Sequence, residues 1–168
     1  MRIFLVGFMG SGKSTIGRKL AQYLQYSFID LDKLIANQAG MSIAEYFKIH
    51  GEDKFRELER DVLQQSDFPP NAIIATGGGV PCYFNNMEWM ISEGKVVYLY
   101  MEPKALAHRL KYSKTERPLI QGLNPEELVD FISEKLSGRE EYYRKAHLIV
   151  SGLDLTAEKL AGYLELPS

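Results

Sequence analysis

The chain has 168 residues, 45% of them hydrophobic and 25% charged, with a formal net charge of −2. That composition fits one globular domain with room for a core, and without a basic excess it gives a nucleic-acid partner no electrostatic support. A single cysteine, Cys82, rules out an internal disulfide, so a cytoplasmic setting is expected, with Cys82 as a small packing residue.

In chain order, the opening MRIFLVG is apolar but short and runs straight into glycines, so neither an export signal nor a membrane span is expected. IFLV (3–6) reads as a strand buried on both faces, and Ser14 to Leu24 as a helix. SFID (27–30) is a second strand, followed by a helix from Leu31 to Ala39 that stops at Gly40. Ser42-Ile-Ala-Glu45 is a capping box opening another helix, and Gly51 starts a more charged one to about Gln65. AIIAT (72–76) is a third strand, cut off by Gly77-Gly78-Gly79. A helix follows over roughly 84–92, though 80–90 carries no assignable role. KVVYLYM (95–101) is the fourth strand, and Pro103 opens a helix ending near Lys111. Residues 112–122, irregular and net basic, read as a mobile lid. Asn124-Pro125-Glu126-Glu127 is a strong helix start, and that helix runs to about Lys145. HLIVS (147–151) is the fifth strand, and a last helix covers about 155–165.

Strands alternating with helices predict an α/β domain, a five-stranded parallel sheet with helices on both faces. Ligands in such sheets lie beyond the carboxyl ends of the strands. Three predicted strands end there in reactive residues: the first glycine loop, Asp30 with Asp32, and the triple glycine. Residues 1–31, 71–111 and 123–168 form the expected core, about 32–66 a substrate-binding arm, and about 112–122 the lid, within a single domain over 1–168.

Gly7-Phe8-Met9-Gly10-Ser11-Gly12-Lys13-Ser14 matches G-x-x-x-x-G-K-[ST], after a strand and at the start of a helix. Glycines let successive N–H groups curl around phosphate oxygens, and the helix start adds its positive end. Lys13 is expected on the β- and γ-phosphates and the Ser14 hydroxyl on Mg²⁺. No N-K-x-D segment reads a guanine base, and the length suits a small kinase better than a motor. In Asp30 and Asp32 one carboxylate would hold a water on Mg²⁺ and the other orient an attacking hydroxyl; either would equally cap the next helix. Three glycines at 77–79 favour close approach of a ligand over a tight turn. Arg56, flanked by Glu52, Glu59 and Arg60, reads from local pattern as a solvated charged face, and Arg139 among Glu140, Glu141 and Arg144 reads the same way. Arg117, in the lid, is placed to close on phosphates. His50, His108 and His147 have no metal-ligand spacing, and Trp89 reads as core.

GFMGSGKST (7–15), FIDLD (28–32), GEDKFR (51–56), ATGGG (75–79), ERPL (116–119) and GREEYYRKA (138–146) occur in the order and spacing of shikimate kinases, which the chain resembles over nearly its whole length. The resemblance implies a P-loop NTPase fold with a lid, and transfer of the γ-phosphate of ATP to the 3-hydroxyl of shikimate, toward chorismate and aromatic amino acids. It implies one Mg²⁺ held through Ser14 and Asp30, and catalytic roles for Lys13, Asp32 and Arg117. For ATP it implies Gly10, Ser11, Gly12, Lys13, Ser14, Thr15, Arg117 and, on adenine, Arg109. For shikimate it implies Asp32, Gly77, Gly78, Gly79, a carboxylate-gripping pair Arg56 and Arg139, and apolar walls Phe47 and Phe55. SGLDLT (151–156) departs from members with an arginine near adenine. A monomer is expected, with ATP/ADP and shikimate as partners and neither nucleic acid nor membrane. The rivals are a gluconate or nucleoside-monophosphate kinase of the same architecture and a silent nucleotide-binding regulator.

Overall fold

The five apolar runs fold as strands β1 (Arg2–Val6), β2 (Ser27–Asp30), β3 (Ala72–Ala75), β4 (Lys95–Tyr100) and β5 (Leu148–Ser151). They form one sheet in the order β2-β3-β1-β4-β5, every pair parallel. The computed structural model describes residues 1–112 and 120–166. The expected lid, 112–122, therefore lies mostly outside the described residues, and Arg117 lies wholly outside them.

Helices cover both faces, so β1 and β3 need no polar alternation and are buried from Ile3 to Val6 and from Ala72 to Ala75. Ile3, Leu5, Ile73, Val97 and Leu99 pack against α1 (Lys13–Leu24) and α7 (Ala157–Tyr163). Their neighbours Phe4, Val6, Ile74, Val96 and Tyr98 point the other way. That second core takes in α2 (Leu31–Ala39), α3 (Ile43–Gln65), α4 (Asn86–Glu93), α5 (Pro103–Lys111) and α6 (Pro125–Tyr143).

Local chemistry sets the helix limits. Asn124 and Glu127 complete a capping box at 2.8 and 3.2 Å and open α6. Ser42 Oγ accepts from Glu45 N–H at 3.1 Å. The two helices expected on either side of Gly51 run on as α3, broken where Gly51 takes φ 83 and ψ 174. A side chain at that φ would be strained, so the break needs glycine. The unassigned stretch after the triple glycine is a 3₁₀ turn, Val80–Cys82, leading into α4.

The strand order sets where a ligand can sit. The chain leaves β1 for the outer strand β2, returns to β3 beside β1, then crosses to β4 on the other side of β1. Leu5 is level with Ala75, and Ala75 with Asp30. Three chain segments therefore leave the sheet at one height, at the point where the winding reverses. Among the described residues no helix is long and apolar enough to cross a membrane.

Candidate active site at the carboxyl ends of the strands

The loop after β1 curls through Gly10 and Gly12, at φ 83 and 94. Gly12 sits at the N-cap of α1 and supplies no side-chain cap, so the first-turn N–H groups of the helix are left for an outside acceptor. Lys13 folds back over the loop and is only 9% exposed. Its ammonium donates to the carbonyls of Gly7 and Phe8 at 2.5 and 3.0 Å. Ser11 is buried, and its Oγ has no hydrogen-bond partner among the described residues.

A cavity of about 670 Å³ opens in front of this loop. Gly10, Gly12, Lys13, Ser14 and Thr15 line it from the loop and α1, and Arg109 from α5. Asp30, Asp32, Gly77 and Gly78 close the opposite side. Asp30 caps α2: its Oδ1 accepts from the N–H of Asp32 at 3.1 Å and of Lys33 at 3.4 Å. Capping, expected for either aspartate, thus falls to Asp30, and Asp32 stands in the first turn of α2, at the cavity wall. Ser14, Asp30 and Asp32 offer oxygen donors only, and few of them, which suits a hard cation that keeps most of its shell in water and phosphate. No group of three or more His, Cys, Asp or Glu among the described residues forms a self-sufficient metal cage.

The triple glycine has a purpose other than turning. None of Gly77, Gly78 and Gly79 adopts a left-handed conformation. Each instead lies against one charged side chain. A Cβ on Gly77 would stand 3.0 Å from Asp32 Oδ1, one on Gly78 2.9 Å from Arg139 Nη1, and one on Gly79 2.5 and 2.7 Å from Arg56 Nη1 and Nη2. Three side chains from α2, α6 and α3 converge because three consecutive residues have none of their own.

Neither arginine is the solvated charge that local pattern suggests. Arg56 does pair with Glu59 (2.9 Å) and approach Glu52 (3.7 Å), but its side chain is 12% exposed and that of Glu59 only 2%. Burial pushes the Glu59 carboxyl up to about 7, and the neighbouring Arg56 offsets part of that rise. Burial likewise disfavours the Arg56 charge, but Glu59, Tyr83 and Glu52 together outweigh it and the pKa is raised. Of the acids beside Arg139, Glu140 turns elsewhere: it accepts from Tyr98 Oη at 2.7 Å and pairs with Arg144 at 2.9 Å. Arg139 lies over the Phe8 ring at 5.5 Å.

Phe55 is buried and packs against half-buried Phe47, ring centroids 4.7 Å apart across the break in α3; Phe55 lies beside the Arg56 guanidinium, and neither ring is on the cavity lining. Arg109 Nη1 and Nη2 reach the carbonyls of Gly10 (3.5 Å) and Gly152 (3.4 Å). A guanidinium therefore reaches the segment after β5, supplied by α5. Cys82 is half-buried, and burial pushes its thiol up to about 11. Trp89 packs edge-on against Phe4.

Two residues of this neighbourhood escape sequence reasoning. Glu59 looks like one more surface acid, but it falls on the same helical face as Phe55, Val62 and Leu63, all buried, and that spacing was its signal. Tyr143 is fully buried and donates its hydroxyl to Gly78 O at 2.5 Å, tying α6 to the triple glycine. Burial raises its pKa against the pull of Arg139.

Residues 9–165 match the family model for shikimate kinase. The chain is 44% identical over 149 residues to shikimate kinase of Bacteroides fragilis, covering 89% of this chain and 83% of that one. The crystal structure of shikimate kinase from Bacteroides thetaiotaomicron superposes with a TM-score of 0.92 at 40% identity, over 99% of both chains. That of shikimate kinase from Acinetobacter baumannii in complex with shikimate superposes with a TM-score of 0.82 at 36% identity, over 98% of this chain and 90% of that one.

Proposed function

The chain belongs to the shikimate kinase family, and from that premise we propose how its residues move the γ-phosphoryl group of ATP to the 3-hydroxyl of shikimate, giving shikimate 3-phosphate and ADP. The observation that carries the reading is the convergence of Asp32, Arg139 and Arg56 on three successive glycines facing the phosphate loop. An acceptor held there presents a hydroxyl to the loop and an acid tail to the arginines.

The loop amides and the start of α1 hold the β- and γ-phosphates. Lys13, parked on two loop carbonyls, has stronger acceptors in phosphate oxygens and spreads the charge of the transferring group. A magnesium ion, held by the Ser14 hydroxyl and through water by Asp30, would neutralise further phosphate charge. Asp32 orients the 3-hydroxyl and takes its proton as the oxygen bonds to phosphorus. Arg56 and Arg139 take the carboxylate, a geometry a guanidinium fork matches with two bonds. Gly77 to Gly79 let the ring approach, and Phe47 and Phe55 back that wall. Arg109 lies where adenine would sit, between the phosphate loop and the segment after β5. Arg117 and the rest of 112–122 serve as a closing lid that adds charge to the phosphates and excludes water. The lone Cys82 supports a cytoplasmic setting.

The test is an acceptor panel with ATP and magnesium, read by coupled ADP release and by mass spectrometry of the product. Shikimate should gain one phosphoryl group, with gluconate and nucleoside monophosphates far behind. Preferred phosphorylation of gluconate, which also carries a carboxylate beside hydroxyls, would overturn the assignment.

A further inference from the structure

The segment after the triple glycine has a use that neither the phosphate loop nor the acceptor residues account for. Residues 83–86 lie along α3 and meet it at four positions spaced by four: Glu52, Arg56, Arg60 and Gln64. The Tyr83 hydroxyl donates to Glu52 Oε1 at 2.9 Å. Its ring centroid lies 4.2 Å from Arg56 Cζ. The Phe84 ring lies 4.4 Å from Arg60 Cζ. Gln64 donates to the side-chain oxygens of Asn85 and Asn86, both at 2.9 Å. Positions four apart share one face of a helix, so this is a strap laid along a single stripe. Its far end is fixed by the buried Asn86, whose amide donates to Val80 O at 3.0 Å. Phe84 holds φ at +50, a conformation costly for an aromatic residue, and the two neighbouring rings then meet successive arginines.

The strap matters for Arg56. Glu59 holds Nη1 at 2.9 Å, and a single bond of that kind limits rotation of the guanidinium within its own plane. It does little to stop the plane from tilting. Stacking does the converse: a ring 4.2 Å away resists tilt and leaves in-plane edges open for hydrogen bonds. A methyl on Gly79 would lie nearer to Nη1 and Nη2 than to Cζ, so the fork opens toward Gly79. A bidentate carboxylate needs that fork held in one plane.

We propose that Tyr83, carried on the strap, is a positioning residue for Arg56: its ring fixes the guanidinium plane and so sets preference for acceptors that carry a carboxylate. The inference rests on the shikimate kinase reading above.

Three variants test it, each with methyl shikimate, in which the carboxylate is esterified, scored as a competing ligand. Tyr83→Leu and Tyr83→Ala should raise the KM for shikimate by about three- to tenfold. The kcat at saturation, the KM for ATP and the inhibition constant of the ester should stay within about twofold, since the expected loss is confined to carboxylate recognition. Tyr83→Phe keeps the ring and should lie close to wild type. An unchanged shikimate KM in Tyr83→Leu, equal losses for acid and ester, or a fall in kcat alone would each overturn the proposal. The ratio of acid to ester affinity does not depend on the fraction of folded protein, so a destabilised variant still discriminates between these outcomes. Failure of wild-type protein to phosphorylate shikimate would instead overturn the functional reading, before any variant is made.

Discussion

The donor half and the acceptor half of the cleft are built by opposite means. The proposed donor half is one run of eight residues, Gly7 to Ser14, built from backbone amides and a single folded-back lysine. Its glycines are needed for their own φ, as at Gly10 and Gly12. The acceptor half draws side chains from α2, α3 and α6, separated by up to about a hundred residues, onto a glycine run with ordinary φ. There the glycines are needed for what approaches them. Damage to the donor half should therefore act through backbone and charge at the phosphates, and damage to the acceptor half through displaced side chains.

The largest expected effect is on the donor side. Lys13→Met should lower kcat by about a thousandfold with the fold intact, because it removes a charge aimed at the transferring group. Near-normal turnover beside a wild-type melting curve would break the charge assignment. Gly79→Ala sharpens the comparison most. Gly79 has φ −87 and ψ −12, which alanine adopts freely, so the only insult is a methyl against the Arg56 fork. The KM for shikimate should rise by roughly ten- to a hundredfold and the KM for ATP should not move. An equal rise in both would mean that the two halves are not separable.

A third measurement uses pH. The Glu59 carboxyl is raised to about 7 in the folded protein, above the ordinary value of 4.5. The native state therefore binds this proton more tightly than the unfolded chain. Its stabilising contribution is full below about 4.5 and is lost as pH rises toward 7. Glu59→Gln cannot ionise, so wild type and variant should be similarly stable at low pH, and the variant should gain on wild type across that window. The gain is at most about 3 kcal/mol. A constant difference, followed by denaturant titration from pH 4 to 8, would remove Glu59 as the titrating group. The smallest effect is expected for Tyr143→Phe. Losing the bond to Gly78 O should raise the KM for shikimate by about three- to tenfold and leave the KM for ATP unchanged. A change in the KM for ATP alone would place the Tyr143 bond on the donor side.

The fold was legible because the strands are short, mostly apolar runs, several of them closed by glycine or aspartate, and some helices carry their own stop or start, as at Gly40 and Asn124. The break at Gly51 was visible for the same reason. Residues 83–86 were not, since their contacts run to a helix some twenty to thirty residues earlier and leave no period in the sequence. Asp30 and Asp32 were marked as a pair, but which one caps α2 depends on where the helix begins.

By itself the sequence determined the phosphate loop, because its conformation follows from the φ values open to glycine and the start of a helix, both local properties. It also determined the parallel sheet, since strand and helix periods alternate along the whole chain. Only the tertiary structure decided that Arg56 and Arg139 turn toward the triple glycine. Their local neighbours, Glu59 and Glu140, are as compatible with a solvated surface as with a site. The difference lies in burial of Glu59 on the inner face of α3 and in the bare edge of Gly77 to Gly79, and no run of adjacent residues encodes either.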